Sequence, residues 1–276
     1  SVARTAQLIS QVRRWHLERE IVVIRDGGFA AVPLVQHCQR KGIQVTFIAR
    51  SRLDLRLFDP PGQQPSSKRG PKPKKGERQP SLKARLNDAN TVWTKNQIRW
   101  YGGEQRTVEW TTGTSLWHRQ GFDPVPIRWL LARCPENSFK PAAFLCSDQT
   151  VSPQQMIDWF ILRWNIEVTF EELRTHIGFG TQRQWSDRTI ERTTPCLFGV
   201  FSLVVLITMT SHPKHLPLCN TAWYRKDEAT FSDALAAGRS HLWCLDQLSH
   251  SADSADPVQI PAPLLRSLCQ LALHPV

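Results

Sequence analysis

Two carboxylates, Asp26 and Glu167, and a set of cations carry the chemistry this sequence suggests. Between Phe160 and Arg174 the residues Phe160, Arg163, Glu167 and Arg174 stand three, four and seven positions apart. The stretch lacks Gly and Pro, follows a Ser152-Pro153 helix start and precedes Gly178, so one continuous helix is expected. At 100° per residue the four side chains fall at about 0°, 300°, 340° and 320°, sharing an arc of roughly 60°. An acid among fixed cations suits metal-assisted phosphate chemistry, the carboxylate holding the ion and the cations holding a nucleic-acid backbone. The competing reading is a solvated face with Glu and Arg paired at helical spacing.

The second carboxylate belongs to an α/β unit. Ile21 to Ile24 is a continuous apolar run, which predicts a buried strand. It ends in Arg25-Asp26-Gly27-Gly28, and a helical pattern from Phe29 to Arg40 closes at Gly42. Val45 to Ala49 reads as another buried strand, so two parallel strands joined by a right-handed crossover are expected. Asp26 then stands where a strand of an open α/β sheet runs out, the place where sites form. An Asp that merely caps the next helix or stabilises the turn would look the same.

Between the two acids the composition changes twice. From Pro65 to Arg85 there are eight Lys or Arg against one acid, a net +7 out of the chain's +11. Lys68, Arg69, Lys72, Lys74 and Lys75 lie in a Pro- and Gly-rich run that cannot bury a core, so a flexible phosphate-backbone contact is expected, with a plain solvated linker as the alternative. Short strands follow at Thr91–Trp93, Gln97–Tyr101, Thr107–Thr111, Ile127–Leu131 and Ala142–Cys146, separated by turn residues. Five of the eleven Trp lie between Trp93 and Trp129, where they pack a sheet or, as with Trp117 beside His118, stack on an unpaired base.

The remaining composition limits the class. Seven Cys without a CxxC pair read as reduced thiols. The sequence begins at Ser1 without Met and shows no signal-peptide pattern. The longest apolar run, Cys196 to Met209, has 14 residues, short of the roughly 20 of a membrane span, so a buried core helix and no membrane partner are expected. Further helices are expected at residues 3–18, 230–241 and 263–273. His212, His215, Cys219, His241 and Cys244 could be zinc ligands, but Pro213 and Pro217 interrupt them. There is no Walker loop, GxGxxG or GxSxG. Asp26 and Glu167 are thus the candidate metal ligands, with Mg²⁺ expected and Mn²⁺ as an alternative, since oxygen donors and phosphate suit a hard cation.

Phe160-x2-Arg163-x3-Glu167-x6-Arg174 resembles the Tyr-x2-Arg-x3-Glu-x6-Lys signature of bacterial insertion-sequence transposases with an Asp-Asp-Glu triad. The Ile21-Val-Val-Ile-Arg-Asp26-Gly-Gly-Phe29 block is similar to the one carrying that family's second catalytic Asp. The resemblance implies an α/β (α+β) ribonuclease-H-like core with a β-rich insertion. It implies catalytic, metal-holding roles for Asp26 and Glu167, transposon-end contacts by Arg163 and Arg174, and a place for Phe160 near the cleaved or flipped strand. Phe160 replaces Tyr, losing a hydroxyl, and Arg174 replaces Lys, changing the donor geometry. Residues 1–25 contain no Asp where the family's first catalytic Asp would precede the second, so the resemblance implies a C-terminal portion with an unpaired sheet edge.

The expected organisation is a partial core over 1–58, a basic loop over 59–90, a β insertion over 91–150, core helices over 151–211 and a helical tail over 212–276. The expected function is a cytoplasmic, nucleoid-associated DNA transposase that cuts transposon ends and joins them to target DNA, possible as a homodimer and weak or inactive as this chain alone. The alternatives are a DNA-binding fragment acting as inhibitor or remnant, and an unrelated metal-dependent nuclease.

Overall fold

The computed structural model describes residues 1–62, 73–100, 103–136, 139–181, 183, 185–220, 225–246 and 264. The expected cations Lys68, Arg69 and Lys72, and the expected helix at 263–273 except Leu264, lie outside them. The chain forms two compact units, Ser1–Asn165 and Ile166–Val276.

The first unit is built on one mixed sheet. Helix α1 (Val2–Trp15) begins at Ser1, whose hydroxyl accepts the Arg4 amide at 3.4 Å. Strand β1 (Val22–Arg25) leads through a 3-10 turn at Gly27–Phe29 into α2 (Val32–Gln39) and then β2 (Thr46–Ser51). β1 and β2 pair in parallel from Val22–Thr46 to Arg25–Ala49, the strand, helix, strand unit that the two apolar runs predict. Next come β3 (Leu57–Phe58), α3 (Leu82–Asn87), β4 (Thr94–Arg99), β5 (Gln105–Trp117), β6 (Val125–Arg133), β7 (Ala142–Cys146) and α4 (Pro153–Leu162). The strand order is β1-β2-β7-β6-β5-β3, with β4 also on β5. Strands of the 91–150 segment therefore continue the sheet begun by β1 and β2, through the antiparallel pairing of β7 with β2.

Alternation along β6 and β7 makes two cores, because successive side chains leave a sheet on opposite faces. Ile127, Trp129, Leu131, Ala143 and Leu145 join Val35, Phe47 and Trp117 on the face covered by α1 to α3. Leu130, Ala132, Ala142, Phe144 and Cys146 join Trp110, Met156, Ile157 and Phe160 on the other. Being apolar on both faces, β7 and the Trp129–Ala132 part of β6 appear in sequence as unbroken apolar runs. The Trp residues take part in this packing: Trp129 donates its ring N–H to the Ser115 hydroxyl at 3.0 Å, and Gly113 opposite makes room for the ring.

Two strand expectations are corrected. Ile21–Ile24 is half-buried rather than buried, because β1 ends the strand order and has a neighbour on one side only. Thr91–Trp93 is not a strand; the Thr91 amide bonds the Asp88 carbonyl and its hydroxyl the Arg85 carbonyl, which hold it as the exit turn of α3.

The expected single helix through Phe160 and Arg174 is also corrected. Ser152 caps α4 and Pro153 opens it, as the sequence indicates. The helix stops at Leu162, and α5 (Asn165–His176) starts afresh. The Arg163 and Trp164 amides bond the Phe160 and Ile161 carbonyls three residues back, a tightened turn that needs neither Gly nor Pro.

The second unit holds nearly all of α5, then α6 (Asp187–Ser211) and α7 (Phe231–Asp246). An aromatic chain joins them: Phe170, Phe179 and Phe198 lie within 5.8 Å of one another, and Phe201 stacks on Phe231 at 4.6 Å. The expectation of a buried core helix over Cys196–Met209 is overturned, since no residue of α6 is buried. Leu203, Leu206 and Met209 are 58 to 65 % exposed. The apolar pattern around α6 covers more of its circumference than α7 and the aromatic chain occupy. By length and composition α6 could cross a membrane, with a mean hydropathy of 1.8 in its apolar window.

Candidate active site

Asp26 follows the last residue of β1 in extended backbone, φ −81° and ψ 166°. Its Oδ1 accepts the Gly27 amide at 2.7 Å and so caps the 3-10 turn. The capping role is real, and it uses one oxygen of an exposed carboxylate. Asp26 also lines a cleft of about 330 Å³ wholly within the first unit. The floor is the second face of the sheet, with Phe144 and Ala142, and the rim carries Arg50, Lys140 and Arg163 beside Asp26.

Phe160 and Arg163 come to this cleft from the end of α4. The Phe160 ring is 9 % exposed and meets Phe144 edge-on, centroids 4.6 Å apart. The Arg163 guanidinium lies over the Phe160 ring, 5.6 Å from its centroid. Trp100 and Phe139, stacked at 5.0 Å and 9°, form another wall. The structure thus brings Asp26, Phe160 and Arg163 together, although the sequence places Asp26 far upstream.

Glu167 and Arg174 belong to the second unit. Both are on α5, Glu167 half-buried in its first turn and Arg174 exposed in its last. Seven residues apart, they keep nearly one face of that helix, about 20° of rotation between them. Each end charge agrees with the helix dipole.

Two of the described cations of the basic segment, Lys74 and Lys75, are anchored to the protein. Lys74 pairs with Asp123. Lys75 lies 3.0 Å from His118 Nδ1 and 4.1 Å from the centre of the Phe58 ring. The anchoring follows from backbone bonds between Asp59 and Gly76–Glu77, which fold the segment's end back onto β3. Sequence reading missed Arg50 and Lys140. Arg50 could have been found as the single cation in the apolar Val45–Ser51 run, where it is the exposed residue of an otherwise well-buried strand.

A divalent ion suits the donor chemistry in part. Asp26 offers carboxylate oxygen at a cleft rimmed by phosphate-compatible cations. Among the described residues no group of three or more His, Cys, Asp or Glu stands ready to hold an ion. Mg²⁺ commonly takes one or two carboxylates and completes its shell with water and substrate phosphate, so Asp26 fits as one such ligand rather than as part of a closed cage.

A protein-family model described as a transposase DDE domain matches residues 2–191. The chain belongs to that family, and with it to the DNA transposases, which act on DNA with divalent metal ions. No curated protein matches the chain.

Proposed function

We propose that the chain recognises transposon-end DNA and that Asp26 and Glu167 are its metal-holding carboxylates, with Mg²⁺ or Mn²⁺ as the ion. The carrying observation is the cleft at the end of β1 that Asp26, Phe160 and Arg163 share. When bound, the ions would supply charge neutralisation and activation of water or a 3′-hydroxyl for in-line displacement at phosphorus. The chain's own residues bind and orient. Arg163, Arg50 and Lys140 hold backbone phosphates against the rim, and Arg174 does so from α5. Phe160 fixes the Arg163 guanidinium over its face while the aromatic floor excludes water and accepts an unstacked base. Cleavage of the end and transfer to target DNA, by a homodimer in the cytoplasm, complete this reading.

One observation favours a second reading, a DNA-binding chain that does not cut. Asp26 Oδ1 accepts the Gly27 amide at 2.7 Å as the cap of the 3-10 turn, which is what an Asp with a purely structural role would do. A Mg²⁺-dependent nicking assay on duplexes carrying the inverted repeats beside the gene separates the two. Nicking abolished by Asp26→Asn and by Glu167→Gln supports the complete reaction. Specific binding without nicking supports the second reading. Nicking that survives both substitutions contradicts the carboxylate assignment.

A further inference from the structure

The strand β3 end of the first unit gathers cations away from the cleft that Asp26 lines. His118 follows the last residue of β5 and donates its backbone amide to the Arg56 carbonyl at 3.2 Å. Its ring meets Phe58 edge-on, centroids 5.7 Å apart, and its Nδ1 lies 3.0 Å from Lys75 Nζ. The ammonium also lies over the Phe58 ring. Lys75 is therefore positioned twice, by a ring face and by an imidazole acceptor.

The charge around this pair is lopsided. Burial, then Lys75 and Arg56, lower the His118 pKa, so the ring is neutral at pH 7 and accepts from the ammonium. Arg56 is exposed, as is Arg119 on the far side of His118. Three nearby acids are engaged elsewhere: Asp54 is held by Arg52 at 2.7 and 2.8 Å, Asp123 by Lys74, and Asp59 accepts from Gln79 at 2.6 Å, while Glu77, two residues after Lys75, is exposed. Arg56 adds to the field that lowers the Asp54 pKa, after Arg52, without a bond between them. A neutral imidazole clasped to an ammonium, with a guanidinium beside it, has the charge and donors for one phosphodiester and lacks only the proton on His118.

We propose that Lys75, His118 and Arg56 form a phosphate clamp for a DNA backbone, and that binding is coupled to proton uptake by His118. It rests on the reading of the chain as a DNA-acting transposase-family protein. The basic run that ends at Arg85 delivers Lys75 to this place, which favours a polyanion over an isolated ion. A bound phosphate offsets the repulsion between Lys75 and a charged His118, so the ring's pKa rises on binding and affinity rises as pH falls.

The test is fluorescence-anisotropy binding of an end duplex from pH 5.5 to 8 and across a salt titration, with the His118 ring followed by NMR. The affinity should rise towards acid by up to about tenfold per pH unit, the slope for one proton, and His118→Gln should flatten it. Lys75→Ala and Arg56→Ala should each lower the salt slope by about 1. The duplex should raise the His118 titration midpoint. If the duplex binds but His118→Gln keeps the pH slope and both other variants keep the salt slope, the clamp is overturned while the transposase-end reading stands. If the chain binds no duplex even at low salt, that reading falls and takes the clamp with it. If inorganic phosphate at constant ionic strength shifts His118 as far as the duplex does, the site is one for free anions and the assignment to DNA is overturned.

Discussion

The Arg163 guanidinium rests over the Phe160 ring, and that pair sits in the cleft whose rim carries Asp26. The arrangement gives Phe160 two tasks, since its ring is both part of the core and the support of a cation. The two can be separated. Phe160→Ala should cost about 3–5 kcal/mol of stability, the range for truncating a buried aromatic, whereas Phe160→Leu should fold with a smaller loss and still weaken DNA binding by removing the face under Arg163. Thermal melts alongside duplex binding check this; equal DNA affinity in Phe160→Leu and wild type would contradict the supporting role.

The close approach of Gly113 to Trp129 gives a prediction about the sheet. A Cβ at Gly113 would meet Trp129 Cζ2 at 2.7 Å. Gly113→Ala should therefore lower stability by about 1–3 kcal/mol. In the background of Trp129→Phe, which removes that carbon, the added cost of the alanine should fall. A denaturant-derived double-mutant cycle reads the coupling, and additive effects would place the strain elsewhere.

Much of the first unit was legible because its strands carry apolar side chains on successive positions, so Ile21–Ile24 and Ala142–Cys146 stand out as unbroken runs and Val45–Ala49 as one interrupted by Thr46. The order of the strands was not, since β7 returns to pair with β2 across the whole basic segment. The break after Leu162 left no trace because it is made by backbone bonds at Arg163 and Trp164, not by Gly or Pro. The exposure of α6 was hidden for a different reason: hydropathy says how apolar a helix is, not which part of it another element covers. At the site, the types and spacing singled out Asp26, Phe160 and Arg163, which share a cleft, while Arg50 and Lys140 reach it only through strand register and loop geometry.

Asp233 should make the second unit sensitive to acid. Burial would raise its pKa, but the Thr230 and Cys219 amides, the Lys226 ammonium and the Thr230 hydroxyl outweigh it and hold the carboxyl at about 2, below the usual 3.8. A lowered folded pKa adds stability that is fully present above the unfolded value and lost as pH falls through the folded one. The contribution should be about 2 kcal/mol above pH 4 and fade between about pH 4 and 2. Asp233→Asn should remove that pH dependence and destabilise the unit at neutral pH, as followed by circular dichroism; an unchanged acid limb in the variant would contradict it.

The thiols should divide by burial. Cys38 and Cys146 are pushed up to about 12 by burial, whereas Cys196 is exposed on α6. A thiol reagent at pH 8 should label Cys196 in the native chain and reach Cys38 and Cys146 only after unfolding, with mass spectrometry of the labelled peptides as the readout. Rapid native labelling of Cys146 would contradict the packing of β7 at the centre of the sheet.

The central claim is that this chain of the transposase DDE family grips transposon-end DNA through the cleft of Asp26 and Arg163 and through Arg174. It is tested most directly by comparing its affinity for an inverted-repeat duplex and a scrambled duplex of equal composition across a salt titration. The account predicts tighter binding to the repeat, with a salt slope that falls by about 1 in Arg163→Ala and again in Arg174→Ala. Equal affinity for both duplexes, with slopes that neither substitution alters, would contradict it.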